Sequence, residues 1–226
     1  MSVGDETRAR IVETAERLFA EQGMAVSNRQ IGEAAGQANN SVVGYHFGTK
    51  ADLIAAIVAR HTPDIEARRS AMLAALPERA RLRPWLLAVV KPITDHLASL
   101  DERCYYARFL AQVTADPTTR GAMMDLWLSP PSMRALSERA ASVLPSLPMA
   151  VFIERSDMMR HIVVHVCAER ERALQSGEPT PRASWDDAAQ GIVDALAGLW
   201  RAPQHSARVA QQSRRAPRRS TKRHTT

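Results

Sequence analysis

The chain has 226 residues and is 45% hydrophobic, which allows a sizeable core and one or two domains. No apolar run approaches the ~18–20 residues of a membrane span, and the opening MSVGDETRAR is too polar and acidic for a signal peptide. The formal charge of +6 sits mostly in residues 202–226, where Arg208, Arg214, Arg215, Arg218, Arg219, Lys222 and Arg223 occur without an acid, so the remainder is close to neutral.

Helical periodicity starts near Glu6 and runs to Gln22. Its core face is Ile11, Ala15, Leu18 and Phe19, and Gly23 stops it. Ser27-x-x-Gln30 is a capping box, in which the serine hydroxyl accepts from the backbone N–H three residues on. It opens a short helix with an apolar stripe of Ile31, Ala34 and Ala35. Gly36 ends this helix, because glycine reaches the left-handed conformation at no steric cost. Asn39, Asn40 and Ser41 are good caps for the next helix, predicted from about Asn39 to Phe47. Val43 and Phe47 turn inward, while Val42, Gly44, Tyr45 and His46 fall elsewhere on the cylinder. Thr49-x-x-Asp52 is a second capping box. The helix it opens carries Leu53, Ile54, Ile57 and Val58 and continues to about Ala75, with Pro63 predicting a kink or a joint.

Helix, turn, helix is the plan of a major-groove reader. Asparagine can pair bidentately with adenine, serine bonds either base type, and the Val42 methyls can meet a thymine methyl. Tyr45, His46 and Lys50 can reach phosphates, as can the capped helix starts at Ser27, Asn28 and Thr49. Spacing alone fits a packed helical hairpin equally well. At these same residues the sequence resembles a known family. Thr7-Arg8, Ile11, Ala15, Leu18-Phe19-Ala20-Glu21-x-Gly23, Ile31, Ala35-Gly36 and Tyr45-His46-Phe47-Gly48-Thr49-Lys50 look like the DNA-binding domain of TetR-type transcriptional regulators. The turn after Gly36 is one residue longer than is usual there, Gly44 stands where a tyrosine is common, and the Asn-Asn-Ser start belongs to a subset of members. The resemblance implies that Arg8 lies near the DNA backbone and that the helix from Asp52 links a DNA-binding head to a body.

The body reads as further helices. Arg79 to Leu100 carries Trp85, Leu86, Val89, Val90, Ile93 and Leu97; Pro84 opens the helix proper and Pro92 should bend it. Asp101 can cap a helix containing Cys104, Tyr105, Phe109, Leu110 and Val113. Asp116-Pro117 reads as a cap with proline at the first helical position of the next. Ser129-Pro130-Pro131 interrupts, and Ser132 to Leu144 resumes. The last two long helices run from Pro148 to about Gln175 and from Ser184, in Ser184-x-x-Asp187, to Arg201. The resemblance implies that this pair makes a four-helix bundle with a second subunit; from the residues alone, both faces can equally be buried within one subunit. Residues 202–226 lack the apolar side chains needed to repay the entropy of ordering and are expected to be disordered.

Few residues suggest chemistry. His161 and His165 are four apart, which is metal-ligand spacing, but no third ligand accompanies them in sequence. No nucleophile elbow, phosphate-cradling glycine loop or dinucleotide fingerprint occurs. Cys104 and Cys167 read as buried thiols in a reducing compartment, with a disulfide as the alternative, and the compartment expected is the cytoplasm. Trp85, Tyr106, Phe109, Met124 and Trp127 are core residues or the lining of an apolar cavity, with His161, His165 or Arg108 as polar anchors.

These readings combine into an all-α protein with three parts: a helix-turn-helix head at 4–64, a ligand-binding and dimerisation body at 65–201 and a basic tail at 202–226. The expected function is a non-enzymatic, ligand-responsive regulator, a repressor. It would bind a palindromic operator in double-stranded DNA as a homodimer joined through the helices at about 148–175 and 184–201. Its effector would be a small apolar molecule, and neither a metal nor another cofactor is implied. Two alternatives are a small all-α metal-binding protein or enzyme using His161 and His165, and a protein that coats DNA through its tail.

Overall fold

The computed structural model describes residues 3–39, 41–100 and 104–203. Among the described residues there are ten helices and no strand. The first four are α1 (Val3–Gln22), α2 (Asn28–Ala34), α3 (Val42–Phe47) and α4 (Lys50–Ala75). They are followed by α5 (Leu82–Ser99), α6 (Tyr106–Ala115), α7 (Arg120–Leu128), α8 (Pro131–Val143), α9 (Met149–Gln175) and α10 (Trp185–Arg201). The chain is thus an all-α fold with an N-terminal helix-turn-helix head and a helical body.

The head core follows the predicted stripes except at Ala34, which is exposed at the end of α2. Ile11, Ala15 and Phe19 of α1, Ile31 of α2, and Leu53 and Ile57 of α4 are fully enclosed. The body grows from the same helices: α5 packs on α4 and α10, and α6 lies between α1 and α9. Its helix ends are closed by side chains from distant segments. Glu171 of α9 accepts from the backbone N–H of Ala107 and Arg108, supplying the N-terminus of α6 with acceptors that Tyr105 cannot provide. Arg155 donates to the carbonyls of Trp200 and Ala202, closing the C-terminus of α10. A buried array of polar groups joins head to body. Glu16 of α1 bonds His61 Nε2 at 3.0 Å, His61 Nδ1 faces His96 Nε2 of α5 at 2.8 Å, and His96 Nδ1 faces Asp64 at 2.7 Å. Tyr106 stacks on His61 with ring centroids 3.8 Å apart.

Several expectations need correction. Pro63 neither breaks nor divides its helix, since α4 runs unbroken from Lys50 to Ala75. The proline and Ala59 are both exposed, so the carbonyl that loses its partner faces water. Pro92 lies inside its helix as expected, whereas that helix starts at Leu82 and so is not opened by Pro84. Asp116-Pro117 does not start a helix. The Asp116 carboxylate accepts from the Thr118 N–H and hydroxyl, closing a local turn, and α7 begins at Arg120. Cys104 and Tyr105 precede α6 rather than lying in it, and Asp101 is outside the described residues. The serine-proline interruption and the caps at Pro148 and Ser184 lie where predicted. Both cysteines are free thiols, Cys104 half-buried and Cys167 buried. Burial pushes the Cys167 thiol up to about 12. Of the predicted tail, residues 204–226 lie outside the described residues.

Candidate functional site

The two short helices of the head are held by local chemistry. Ser27 accepts from the Gln30 N–H at 3.3 Å, and Gln30 Oε1 accepts from the Ser27 N–H at 2.9 Å, so both halves of the capping box are present. Gly36, at φ 70°, turns the chain out of α2. The side-chain oxygen of Asn39 then accepts from the Ser41 N–H at 3.0 Å and the Ser41 hydroxyl at 2.7 Å. This turn delays α3, which starts at Val42 rather than at Asn39. Gly32 is buried where α2 meets α3, with the Val42 side chain 3.6 Å from where its own Cβ would lie. Gly48, at φ 68°, ends α3, and Thr49 and Asp52 form the second capping box at the start of α4.

One side of α3 is sunk and the other is presented. Val43 and Phe47 are buried against the head core, whereas Ser41, Gly44 and Tyr45 are exposed and Val42 and His46 are half-buried. Tyr45 is 85% exposed, which is unusual for a large apolar ring and leaves its hydroxyl at the surface. It meets His46 edge-on, with centroids 5.3 Å apart. Arg8 of α1 lies over the Phe47 ring, 5.0 Å from its centroid, and ties the first helix to the presented one. Asn39 is exposed and Asn28 half-buried, while Asn40 is outside the described residues.

Lys50 is engaged differently from the phosphate role expected of it. Its ammonium donates to the carbonyls of Met24 at 2.6 Å and Val26 at 3.1 Å. These carbonyls lie in the turn after Gly23, where no helical donor reaches them. The Ser27 and Thr49 hydroxyls and N–H groups are similarly closed into their capping boxes. At these two starts the following first-turn N–H groups are the ones left without an intrahelical partner.

A second feature lies in the body. A cavity of about 440 Å³ opens between α4, α5, α7, α8, α9 and α10. Trp85, Met124 and Trp127, three of the predicted lining residues, do line it. Trp85 is fixed there by its indole N–H, which donates to the Leu136 carbonyl at 3.1 Å. The other predicted residues do not line it. Tyr106 and Phe109 are core residues of the head–body joint, where Phe109 packs against Phe19 at 6.3 Å between centroids. His161 and His165 stack face to face on the exposed side of α9, with centroids 5.7 Å apart. Among the described residues, no group of three His, Cys, Asp or Glu side chains comes together to hold a metal ion. Arg108 pairs with Glu171 at 3.3 Å. Five polar residues also line the cavity, Arg69, Ser137, Ser156, Asp157 and Arg160, and sequence reasoning pointed to none of them. The available signal was Arg69 standing in the Ile65, Arg69, Leu73 stripe, an arginine where helical spacing calls for an apolar residue.

Residues 11–57 match the family described as Bacterial regulatory proteins, tetR family. No curated protein matches the chain. Similar solved structures include the following three. One is PfmR, a TetR family transcriptional regulator from Thermus thermophilus, at 19% identity over 87% of this chain and 100% of that one, with a TM-score of 0.49. The second is a TetR-family regulator from Rhodococcus sp., at 17% identity over 87% and 99%, with a TM-score of 0.48. The third is NalD, the secondary repressor of the MexAB-OprM multidrug efflux pump in Pseudomonas aeruginosa, at 18% identity over 88% and 84%, with a TM-score of 0.34. The matched stretch lies within the head, from Ile11 of α1 to Ile57 of α4. Among the described residues, no helix is long and apolar enough to cross a membrane.

Proposed function

We propose that the chain is a ligand-responsive regulator of transcription, a repressor that acts in the cytoplasm as a homodimer on a palindromic operator. The domains are a DNA-binding head at 4–64, a ligand-binding and dimerisation body at 65–201 and a basic tail at 202–226. The observation that carries this reading is α3, which buries Val43 and Phe47 and holds Ser41, Gly44 and Tyr45 outward. Such a helix enters a major groove, with Asn39, Ser41 and Val42 at base edges and Tyr45 and His46 at phosphates. Asn40 belongs to the same contact set.

Dimerisation through α9 and α10 is supported by Met149, Ile153, Met158, Val166 and Leu174, all on α9 and all exposed large apolar side chains. A second copy would cover them and double the number of half-sites read. An effector in the body cavity would release DNA if it bound the non-operator arrangement more tightly, and DNA would then weaken effector binding by the same factor.

The test is footprinting of the full-length protein on its native genome. An inverted repeat should be protected, with half-site centres about 34 Å apart on one face of the duplex. Uniform coating without any protected repeat would overturn the reading. Removing residues 202–226 should leave the same repeat protected; if protection vanishes, the tail rather than the head is the reader.

A further inference from the structure

The body cavity is apolar along most of its wall, but its buried polar atoms are unusual in kind. Five buried side-chain nitrogen or oxygen atoms among the described residues have no hydrogen-bond partner, and four belong to residues that line this cavity. They are Nε of Arg69, Nε and Nη1 of Arg160, and Nε1 of Trp200. All four are donors, and two of the three side chains carry a full positive charge. Leaving such groups enclosed and unpaired is costly unless something else supplies acceptors.

The nearby carboxylates do not supply them. Asp157 meets Arg160 through Nη2 alone, at 3.2 Å, and its own side chain is 60% exposed, so much of its charge is screened by water. Glu66 stands 4.0 Å from Arg69, and its carboxylate accepts from the N–H and hydroxyl of Ser132. The side chains of Arg69 and Arg160 are themselves only 5% and 8% exposed. Burial pulls the Arg69 guanidinium below its ordinary value, against the opposing charge of Glu66. The apolar part of the lining includes Trp85, Val89, Ile93, Met124 and Trp127.

We infer that the cavity takes an anionic amphiphile, a small molecule with an apolar alkyl or aromatic body and one acid group, the acid bound by Arg160, Arg69 and Trp200. This rests on the cavity being the effector site. An acid group seated among these residues would supply the acceptors their enclosed N–H groups lack, and charge-assisted bonds of this kind are the strong ones. The apolar body would replace water along the aromatic wall. A neutral oxygen would accept a weaker bond from the guanidinium groups than a carboxylate does, and a cation would face two buried like charges against the single, largely exposed Asp157.

Calorimetric titration of the full-length protein with octanoate, 1-octanol and octylamine tests this, because the three share one apolar body and differ in the head group. Octanoate should bind about tenfold or more tighter than octanol, and octylamine weaker than both. Arg160→Gln and Arg69→Gln should each lower the affinity for octanoate about tenfold and leave octanol unchanged, which also certifies that the variants are folded. Octanol binding as tightly as octanoate, tighter binding of octylamine, no binding of octanoate, or an acid preference that survives both substitutions would each overturn the inference. No DNA enters the titration. A protein that protects its operator yet ignores the acid group loses this inference alone, and one that prefers octanoate yet protects no repeat loses only the regulatory reading.

Discussion

Head and body treat their polar groups in opposite ways. In the head, the groups at the short-helix starts close on neighbours two or three residues away, Ser27 with Gln30, Asn39 with Ser41 and Thr49 with Asp52, whereas Lys50 and Glu16 reach further. In the body, polar groups reach across the fold, as Arg155 does to Trp200 and Arg108 to Glu171, or keep unpartnered donors beside a cavity, as Arg69 and Arg160 do. The head core of Ile11, Phe19, Ile31 and Leu53 is closed, and space opens where α1 and α4 meet Leu100, Cys104 and Tyr105. The body holds its walls apart, and the space matters as much as the side chains. Local closure makes a short module legible from its own sequence, whereas long-range closure depends on how distant helices assemble.

The contrast can be broken most forcefully by core truncation. Phe19→Ala, in the fully enclosed head core, should cost about 3–5 kcal/mol in denaturant unfolding. Met124→Ala, on the half-buried cavity wall, should cost less than about 1 kcal/mol. Equal costs would mean that the cavity is an ordinary part of the core. Next in size, Tyr45→Ala should leave the fold intact and weaken operator binding by about 1.5–3 kcal/mol, uniformly across sequences, if its hydroxyl meets a phosphate. A mobility-shift series on operator and scrambled duplexes reads this directly.

Thr49→Ala should cost about 1 kcal/mol of stability, because the capping box at the start of α4 loses its hydroxyl half. A loss near zero would show that the closure is decorative. The gentlest probe is pH. Burial holds the His96 imidazole below the ordinary histidine value, against the raising effect of its bond to Asp64, while a charge on His61 or Arg68 would lower it further. The unfolded chain then binds the proton at a higher pH than the folded one. Stability should therefore fall as pH drops below about 6.5 towards the folded value. Thermal melts of the parent and of His96→Gln should differ in that slope, the variant being flatter; parallel slopes would place the titrating group elsewhere.

Much of the fold was legible because it rests on short-range rules. The capping residues Ser27, Thr49 and Ser184 and the proline before α9 mark helix starts within a residue. Where a local signal admits two uses, the reading failed. Asp116 could cap a helix or close a turn, and it closes the turn. Pro63 breaks a helix only if the carbonyl it strands cannot reach water. The presented side of α3 was visible in the spacing of Val43 and Phe47. The engagement of Lys50 with Met24 and Val26 was not, since its partners lie more than twenty residues back. The cavity was half-legible: tryptophans and methionines announce an apolar wall, but only assembly of several helices shows which arginines face it.

The unbroken α4 is one rod that joins the presented helix to the cavity. It is 26 residues long, about 39 Å at the usual rise, with Thr49 and the presented helix at one end and the cavity residues Ile65 and Arg69 towards the other. His61, locked between Glu16 and His96, sits between those ends. The arm from His61 back to Lys50 is about 17 Å, so a tilt of about 7° would sweep its tip by about 2 Å. Had Pro63 split the rod, the same push would be absorbed at the joint.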